Sequence, residues 1–215
     1  AEAHSNLGIT LQELGRLDEA TESFRQAIEL QPDLTEAHAN LGNTLQELGR
    51  FDEAVASHNQ AILFKPDYAE AHSNLGNTLR ELGRFDEAVA SYNQAILFKP
   101  DLVEAHVNLG NTLKELGRLA DAEASYNQAI SFKPDCVEAY VNLGNTLSEL
   151  GRLDEAEVSC NQAIVLKPDC AEAYVNLGNI LRELGRLDES EASCNRAIVL
   201  KPDLAEAHVN LGSTL

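Results

Sequence analysis

The sequence predicts an all-α solenoid built from stacked, antiparallel helix pairs. Three observations carry that expectation. The string AEAHSNLG at residues 1–8 returns as TEAHANLG at 35–42 and AEAHSNLG at 69–76, then again from 103, 137, 171 and 205, always 34 residues on and without insertion. All 13 Gly and all 6 Pro fall in three positions of that period. Between them, apolar residues recur at helical spacing, as in Ala71, Leu75, Leu79 and Leu82. The repeats are therefore 1–34, 35–68, 69–102, 103–136, 137–170 and 171–204, with a partial repeat at 205–215, read together as a single array over 1–215. Positions within the 34-residue unit are called columns below.

Each repeat reads as two helices. The first opens at a D-x-x-E box such as Asp67…Glu70 or Asp101…Glu104, where Asp can cap the helix and Glu can reach back to the cap. It stops at Gly83 and its equivalents, the residue type favoured for a left-handed turn after a helix. A short turn follows, Gly83-Arg84-Phe85. The second helix carries Ala88, Tyr92, Ala95 and Ile96 on one face. Asp86 and Glu87 suit the positive end of its dipole and Lys99 the negative end, and Pro100 terminates it. A hairpin of this kind has an apolar face that it cannot bury alone, and stacking on identical neighbours buries it. Small residues in the Gly8/42/76/110/144/178 and Ala20/54/88/122/156 columns permit close helix approach, with Ser190 the one departure in the second set.

Composition narrows the partners. The chain has 35 acidic and 16 basic residues, a formal net charge of −19, so polyanions such as nucleic acid and anionic lipid are repelled. A hydrophobic content of 44% with strict periodicity argues against disorder. No apolar run approaches the length of a membrane span. There is no Met, so residue 1 is read as an internal position of a longer or processed chain. Cytoplasm is the expected compartment.

The columns resemble the tetratricopeptide-repeat family, whose pattern is W-x2-L-G-x2-Y, then A-x3-F, then P. The third repeat has His72-x2-Leu75-Gly76-x2-Leu79, then Ala88-x3-Tyr92, then Pro100. The spacing holds in all six full repeats, while the Trp column holds His or Tyr and the last aromatic column runs Phe24, His58, Tyr92, Tyr126, Cys160, Cys194. The resemblance implies a right-handed superhelical α-solenoid, with first helices lining a concave groove and second helices forming the convex face. It also implies a protein-interaction scaffold rather than an enzyme.

Asn occupies column 6 throughout, as Asn6, Asn40, Asn74, Asn108, Asn142, Asn176 and Asn210, and column 9 as Asn43, Asn77, Asn111, Asn145 and Asn179. Columns 3, 7, 8 and 11 already form the apolar face, so these Asn point toward what the resemblance makes the groove. An Asn amide offers one acceptor and two donors, the complement of a peptide backbone. The column-6 ladder is similar to that in the repeat region of O-linked N-acetylglucosamine transferases, which implies Asn side chains holding an extended peptide; the column-9 set extends that reading. Asn is about 0.5 kcal/mol poorer than Ala as a helix former, so its recurrence asks for a reason. Ligand binding is one reason, and hydrogen bonding between adjacent repeats is the other. At about 0.5–1.5 kcal/mol each, six contacts give roughly 3–9 kcal/mol before ordering costs, which means micromolar or weaker binding.

Groove charge comes from Glu70, Glu104 and their equivalents, with Arg80, Lys114 and Arg182 as basic spots in column 12. A neutral or basic protein or peptide is the expected partner. The Lys/Arg carboxylate clamp of some relatives is not expected, because columns 2, 5, 6 and 9 hold Glu, small or apolar residues, and Asn. Alternatives are the substrate-recognition arm of a larger enzyme such as a glycosyltransferase, or a structural or designed array without a ligand. Apolar residues near the end, Val209 and Leu211, allow end-to-end self-association. Five of the six His lie in column 4, exchangeable with Tyr, and read as packing rather than metal ligation. Cys136, Cys160, Cys170 and Cys194 read as small apolar fillers. No catalytic constellation, cofactor or metal site is expected.

Overall fold

The computed structural model describes residues 1–214; Leu215, with which the partial repeat closes, lies outside them. Thirteen helices and no strand occur among the described residues. They are α1 (Glu2–Glu13), α2 (Leu17–Leu30), α3 (Thr35–Glu47), α4 (Phe51–Phe64), α5 (Ala69–Glu81), α6 (Phe85–Phe98), α7 (Val103–Glu115), α8 (Leu119–Phe132), α9 (Val137–Glu149), α10 (Leu153–Leu166), α11 (Ala171–Glu183), α12 (Leu187–Leu200) and α13 (Ala205–Thr214). Odd-numbered helices are the first of each repeat and even-numbered helices the second. None is long and apolar enough to cross a membrane. The helices group into two compact units, Ala1–Thr112 and the part that runs on from Leu113, each described by itself.

The turn inside each hairpin follows from one glycine. In α5 the chain reaches Gly83 with φ +71°, Gly83 N–H donates to the Arg80 carbonyl (2.8 Å) and Arg84 N–H to the Leu79 carbonyl (2.9 Å). This paired closure satisfies the last carbonyls of the helix and requires a left-handed residue that only Gly supplies without strain. Arg84 then caps α6 through its backbone, and its guanidinium pairs with Glu87 (2.6 Å).

The start of the first helices differs from the capping-box expectation. Tyr68, not Asp67, is the N-cap of α5, and no side chain caps it. The reason is the turn Lys65-Pro66-Asp67-Tyr68, closed by Tyr68 N–H to the Lys65 carbonyl (3.1 Å), which uses Asp67 as a turn residue one position too early. Glu70 is held by Lys99 at 2.8 Å, and that bond, together with one from its own backbone N–H, draws its carboxyl below the usual range.

Stacking buries the expected columns. In the first unit, Leu11, Ala20 and Phe24 of one repeat pack on Leu41, Leu45 and Ala54 of the next. In the second, Ala163, Cys170 and Ala173 pack with Val137, Tyr140, Val141 and Ile164. Fully burying a side chain such as Phe24 contributes about 1.5–3 kcal/mol. Gly76 is obligatory for contact: a Cβ there would lie 2.6 Å from the Tyr92 ring. Near the end of α13, Val209 is exposed and Leu211 half-buried.

Two features were absent from the sequence expectation. Thr44, Thr78, Thr112 and Thr146 are completely buried, and each hydroxyl donates at 2.8–2.9 Å to the carbonyl four residues back, that of the column-6 Asn. The column-4 rings do more than pack: His38, His72, His106 and His208 each lie with Nε2 at 2.8–2.9 Å from the carbonyl of the preceding Pro.

Candidate functional site

The two Asn columns sit on the first helices, one turn apart, and in every internal repeat they are half-buried rather than fully solvated. Their amides are partly committed inside the fold. In the first unit, Asn74 Nδ2 donates to Asn43 Oδ1 (2.8 Å) and Asn108 Nδ2 donates to Asn77 Oδ1 (2.9 Å). Each column-6 amide thus reaches the column-9 amide of the preceding repeat. Asn77 Oδ1 also accepts from the buried Tyr92 hydroxyl (2.8 Å), tying the second helix of its own hairpin to the next repeat. The inter-repeat role that sequence left open as the alternative is therefore present. It uses one donor of Asn74 and one of Asn108, and the carbonyl oxygen and second N–H of each make no bond to described residues.

A cleft of about 430 Å³ lies against these amides, lined by Gln12, Asn43, Gln46, Glu47, Phe51, Asn74, Asn77 and Glu81. Its walls are ordered by neighbour contacts: Gln12 donates to Glu47 (2.5 Å), and the Thr78 hydroxyl lies 2.9 Å from Gln46 Oε1. The charge of this cleft comes from Glu47 and Glu81 at the far end of the first helices. Glu70 is instead engaged by Lys99, and Glu104 is exposed and does not line the cleft. Arg80 leans toward Glu81 (3.7 Å).

The second unit wires the same columns differently. Lys114 Nζ donates to Asn145 Oδ1 and pairs with Glu149 (3.0 Å). Arg182 donates to Asn179 Oδ1 (2.7 Å), and Asn179 Nδ2 turns to Glu183 (3.3 Å). Asn176 Nδ2 donates to the Val141 carbonyl at 3.4 Å. A cleft of about 180 Å³ remains, lined by Asn145, Ser148, Glu149, Asn176, Asn179, Ile180, Glu183 and Glu206. Asn6 is exposed and Asn40, Asn108, Asn111 and Asn142 are half-buried; these five line neither cleft.

The remaining sequence candidates resolve into packing. His58 is fully buried with no partner for either ring nitrogen among the described residues, and burial lowers its pKa to about 4. All four Cys are free thiols, with Cys160 pushed up to about 12 by burial. Among the described residues no group of three or more His, Cys, Asp or Glu is placed to hold a metal ion.

Comparison with known proteins gives a consistent picture. Family models described as tetratricopeptide repeat match residues 1–62, 33–96, 137–170 and 171–204, and one described as TPR repeat matches 76–117 and 110–151. None of the curated proteins matches the chain. Among solved structures, the type IV pilus biogenesis factor PilW superposes with a TM-score of 0.86 at 23% identity, covering 98% of this chain and 97% of its own. Pseudomonas aeruginosa PilF gives 0.84 at 18% identity, covering 99% and 96%. YrrB, described as a TPR protein with an unusual peptide-binding site, gives 0.74 at 22% identity, covering 91% and 100%. At these identities the likeness establishes the helical-hairpin fold.

Proposed function

Because this chain belongs to the tetratricopeptide-repeat family, whose members are generally protein-interaction scaffolds, we propose that it binds an extended peptide along its Asn columns. In the first unit the contacts come from Asn6, Asn40, Asn43, Asn74, Asn77, Asn108 and Asn111, and in the second from Asn142, Asn145, Asn176 and Asn179. The observation that carries this reading is that two polar clefts are lined by Asn of those columns, one by Asn43, Asn74 and Asn77 and the other by Asn145, Asn176 and Asn179. Asn74 and Asn108 each commit one N–H to the neighbouring repeat, which fixes the amide plane, and present a carbonyl oxygen and a second N–H. Such a fixed amide meets a peptide backbone at low ordering cost. The description of YrrB as peptide-binding supports the same class of ligand. Glu47 and Glu81 in one cleft and Glu149, Glu183 and Glu206 in the other select neutral or basic peptides over acidic ones.

The test is fluorescence anisotropy with labelled dodecapeptides of neutral, basic and acidic composition. Neutral and basic peptides bind with Kd values on the order of micromolar or weaker, and acidic peptides do not bind. The combined variant Asn74→Ala, Asn108→Ala, Asn176→Ala, checked for retained helicity, weakens binding about ten-fold or more, and added salt weakens the basic peptide further. Unchanged affinity in that variant, or tighter basic-peptide binding at high salt, overturns the proposal.

A further inference from the structure

A second concavity lies on a different face of the second unit and shares no residue with the amide clefts. It is a furrow of about 420 Å³ between α8 and α10, floored by α9. That volume falls within the roughly 300–1,000 Å³ of small-ligand pockets. Tyr140, Leu143 and Leu147 rise from α9 on one stripe, and Val158 of α10 forms one wall. The walls are fixed. Arg152 pairs with both Glu123 and Glu155 at 2.6 Å, and the Ser159 hydroxyl donates to the Tyr140 carbonyl at 3.0 Å.

Three details single this furrow out from its counterpart in the first unit, which is lined by Arg25, His38, Leu41 and Ala56 among others. Val158 stands where the second, third, fourth and sixth repeats hold Ala56, Ala90, Ala124 and Ala192 and the first holds Glu22, and it is 69% exposed. Val is a poorer helix former than Ala, so an exposed Val there gains nothing for the helix itself. Asn127 lies on the rim, exposed and without a hydrogen-bond partner among the described residues; Asn59, Asn93, Asn161 and Asn195 share its column, whereas the first-unit furrow has Arg25 there, paired with Glu53 at 3.1 Å. Asp154 is on the same rim with no ion pair among the described residues, so three carboxylates there face one guanidinium.

We infer that this furrow is a second peptide-docking site, independent of the Asn columns, for a segment carrying a large aliphatic side chain beside a Lys or Arg. The aliphatic group enters between Val158 and Leu143. The Asn127 amide meets the adjacent backbone, and the Asp154 carboxylate on the rim receives the cation. The first-unit furrow differs at both points, since its wall is Ala56 and its rim carries an already paired Arg25.

The experiment is an amide-resolved NMR titration of the full chain with an end-blocked heptapeptide, Gly-Ser-Leu-Lys-Gly-Ser-Gly. Signals of Asn127, Tyr140, Val158 and Ser159 shift saturably. Replacing the peptide's Leu by Ser, or its Lys by Glu, removes the shifts. Val158→Gln, which alters an exposed residue and leaves the thermal melt unchanged, weakens binding about five-fold or more. The combined Asn74→Ala, Asn108→Ala, Asn176→Ala variant retains the wild-type affinity for this peptide, so loss of the ladder and loss of the furrow read out separately. Equal binding of the Ser-containing peptide, unchanged affinity in Val158→Gln, or shifts confined to the Asn145–Asn176 cleft each overturn the inference.

Discussion

The two units repeat one hairpin but lock it in different ways. In the first, the slot facing the small Gly column is filled by large rings, Phe24, His58 and Tyr92, and amide bonds to amide between repeats. In the second, the slots of the fifth and sixth repeats hold Cys160 and Cys194, and cationic side chains take over the column-9 carbonyls through Lys114 and Arg182. The same two repeats carry Tyr140 and Tyr174 where the others have His in column 4, and in the sixth the Ser190 hydroxyl reaches the Gly178 carbonyl at 2.7 Å. One backbone period therefore tolerates two side-chain solutions. They differ in how much a single residue carries.

The largest expected contrast is between Tyr92 and Cys160. Both are fully buried. Tyr92→Ala empties a ring-sized slot against Gly76 and removes the bond to Asn77, at a cost of about 3–5 kcal/mol. Cys160→Ala removes one sulfur, at about 1 kcal/mol. Urea denaturation gives both values, and hydrogen exchange localises them, since stability in a repeat array is close to a sum over neighbours. Equal costs would mean that ring packing is not what distinguishes the units.

His58 sharpens the comparison, because it puts an ionisable ring in an aromatic slot. Its folded pKa, about 4, lies below the ordinary value of 6.5, so the unfolded chain takes up the proton first as pH falls. Its contribution is complete above pH 6.5 and is lost between there and pH 4, up to about 3 kcal/mol. His58→Tyr copies Tyr92 and removes that dependence. Urea midpoints of the two proteins at pH 7 and pH 4 separate on acidification, whereas parallel curves would exclude proton uptake by His58.

Much of this was legible in the sequence, and the rest has physical reasons for being hidden. The 34-residue period gives the helix pairs, the left-handed Gly83 and the buried columns directly. Buried Thr78 was not legible, because a hydroxyl in a core is tolerable only once its bond to the Asn74 carbonyl is known. Asp67 read as a cap because spacing cannot show that the Lys65–Tyr68 turn has already used it. The Asn columns were visible, but the Asn74–Asn43 bond spans 31 residues and depends on how neighbouring hairpins register. Asn127 lay in a column that sequence gave no reason to prefer over any other solvated position. Only the furrow beside it marks it out.

A smaller difference is expected between Asn77 and Asn145. Asn77→Ala removes the acceptor of both the Tyr92 hydroxyl and the Asn108 amide at a half-buried site, at a cost of about 1–3 kcal/mol. Asn145→Ala removes one acceptor of Lys114, which keeps its partner Glu149, so the cost stays below about 1 kcal/mol.

The smallest effect, and the most specific to the second unit, is that of Lys114→Gln. The Lys114 side chain is only 28% exposed, but Glu149 is 48% exposed, so solvent screens the pair and its loss costs about 0.5 kcal/mol or less. The neutral amide of Gln retains a donor for Asn145 and loses the charge. The difference between wild type and variant therefore shrinks as salt rises, since the Debye length falls from about 10 Å at 0.1 M to about 3 Å at 1 M. The Asn74–Asn43 tie of the first unit has no charge to screen, so Asn43→Ala costs the same at both salt concentrations. A salt-independent cost for Lys114→Gln would show that Lys114 acts on Asn145 as a neutral donor would, and the electrostatic distinction between the two units would fall with it.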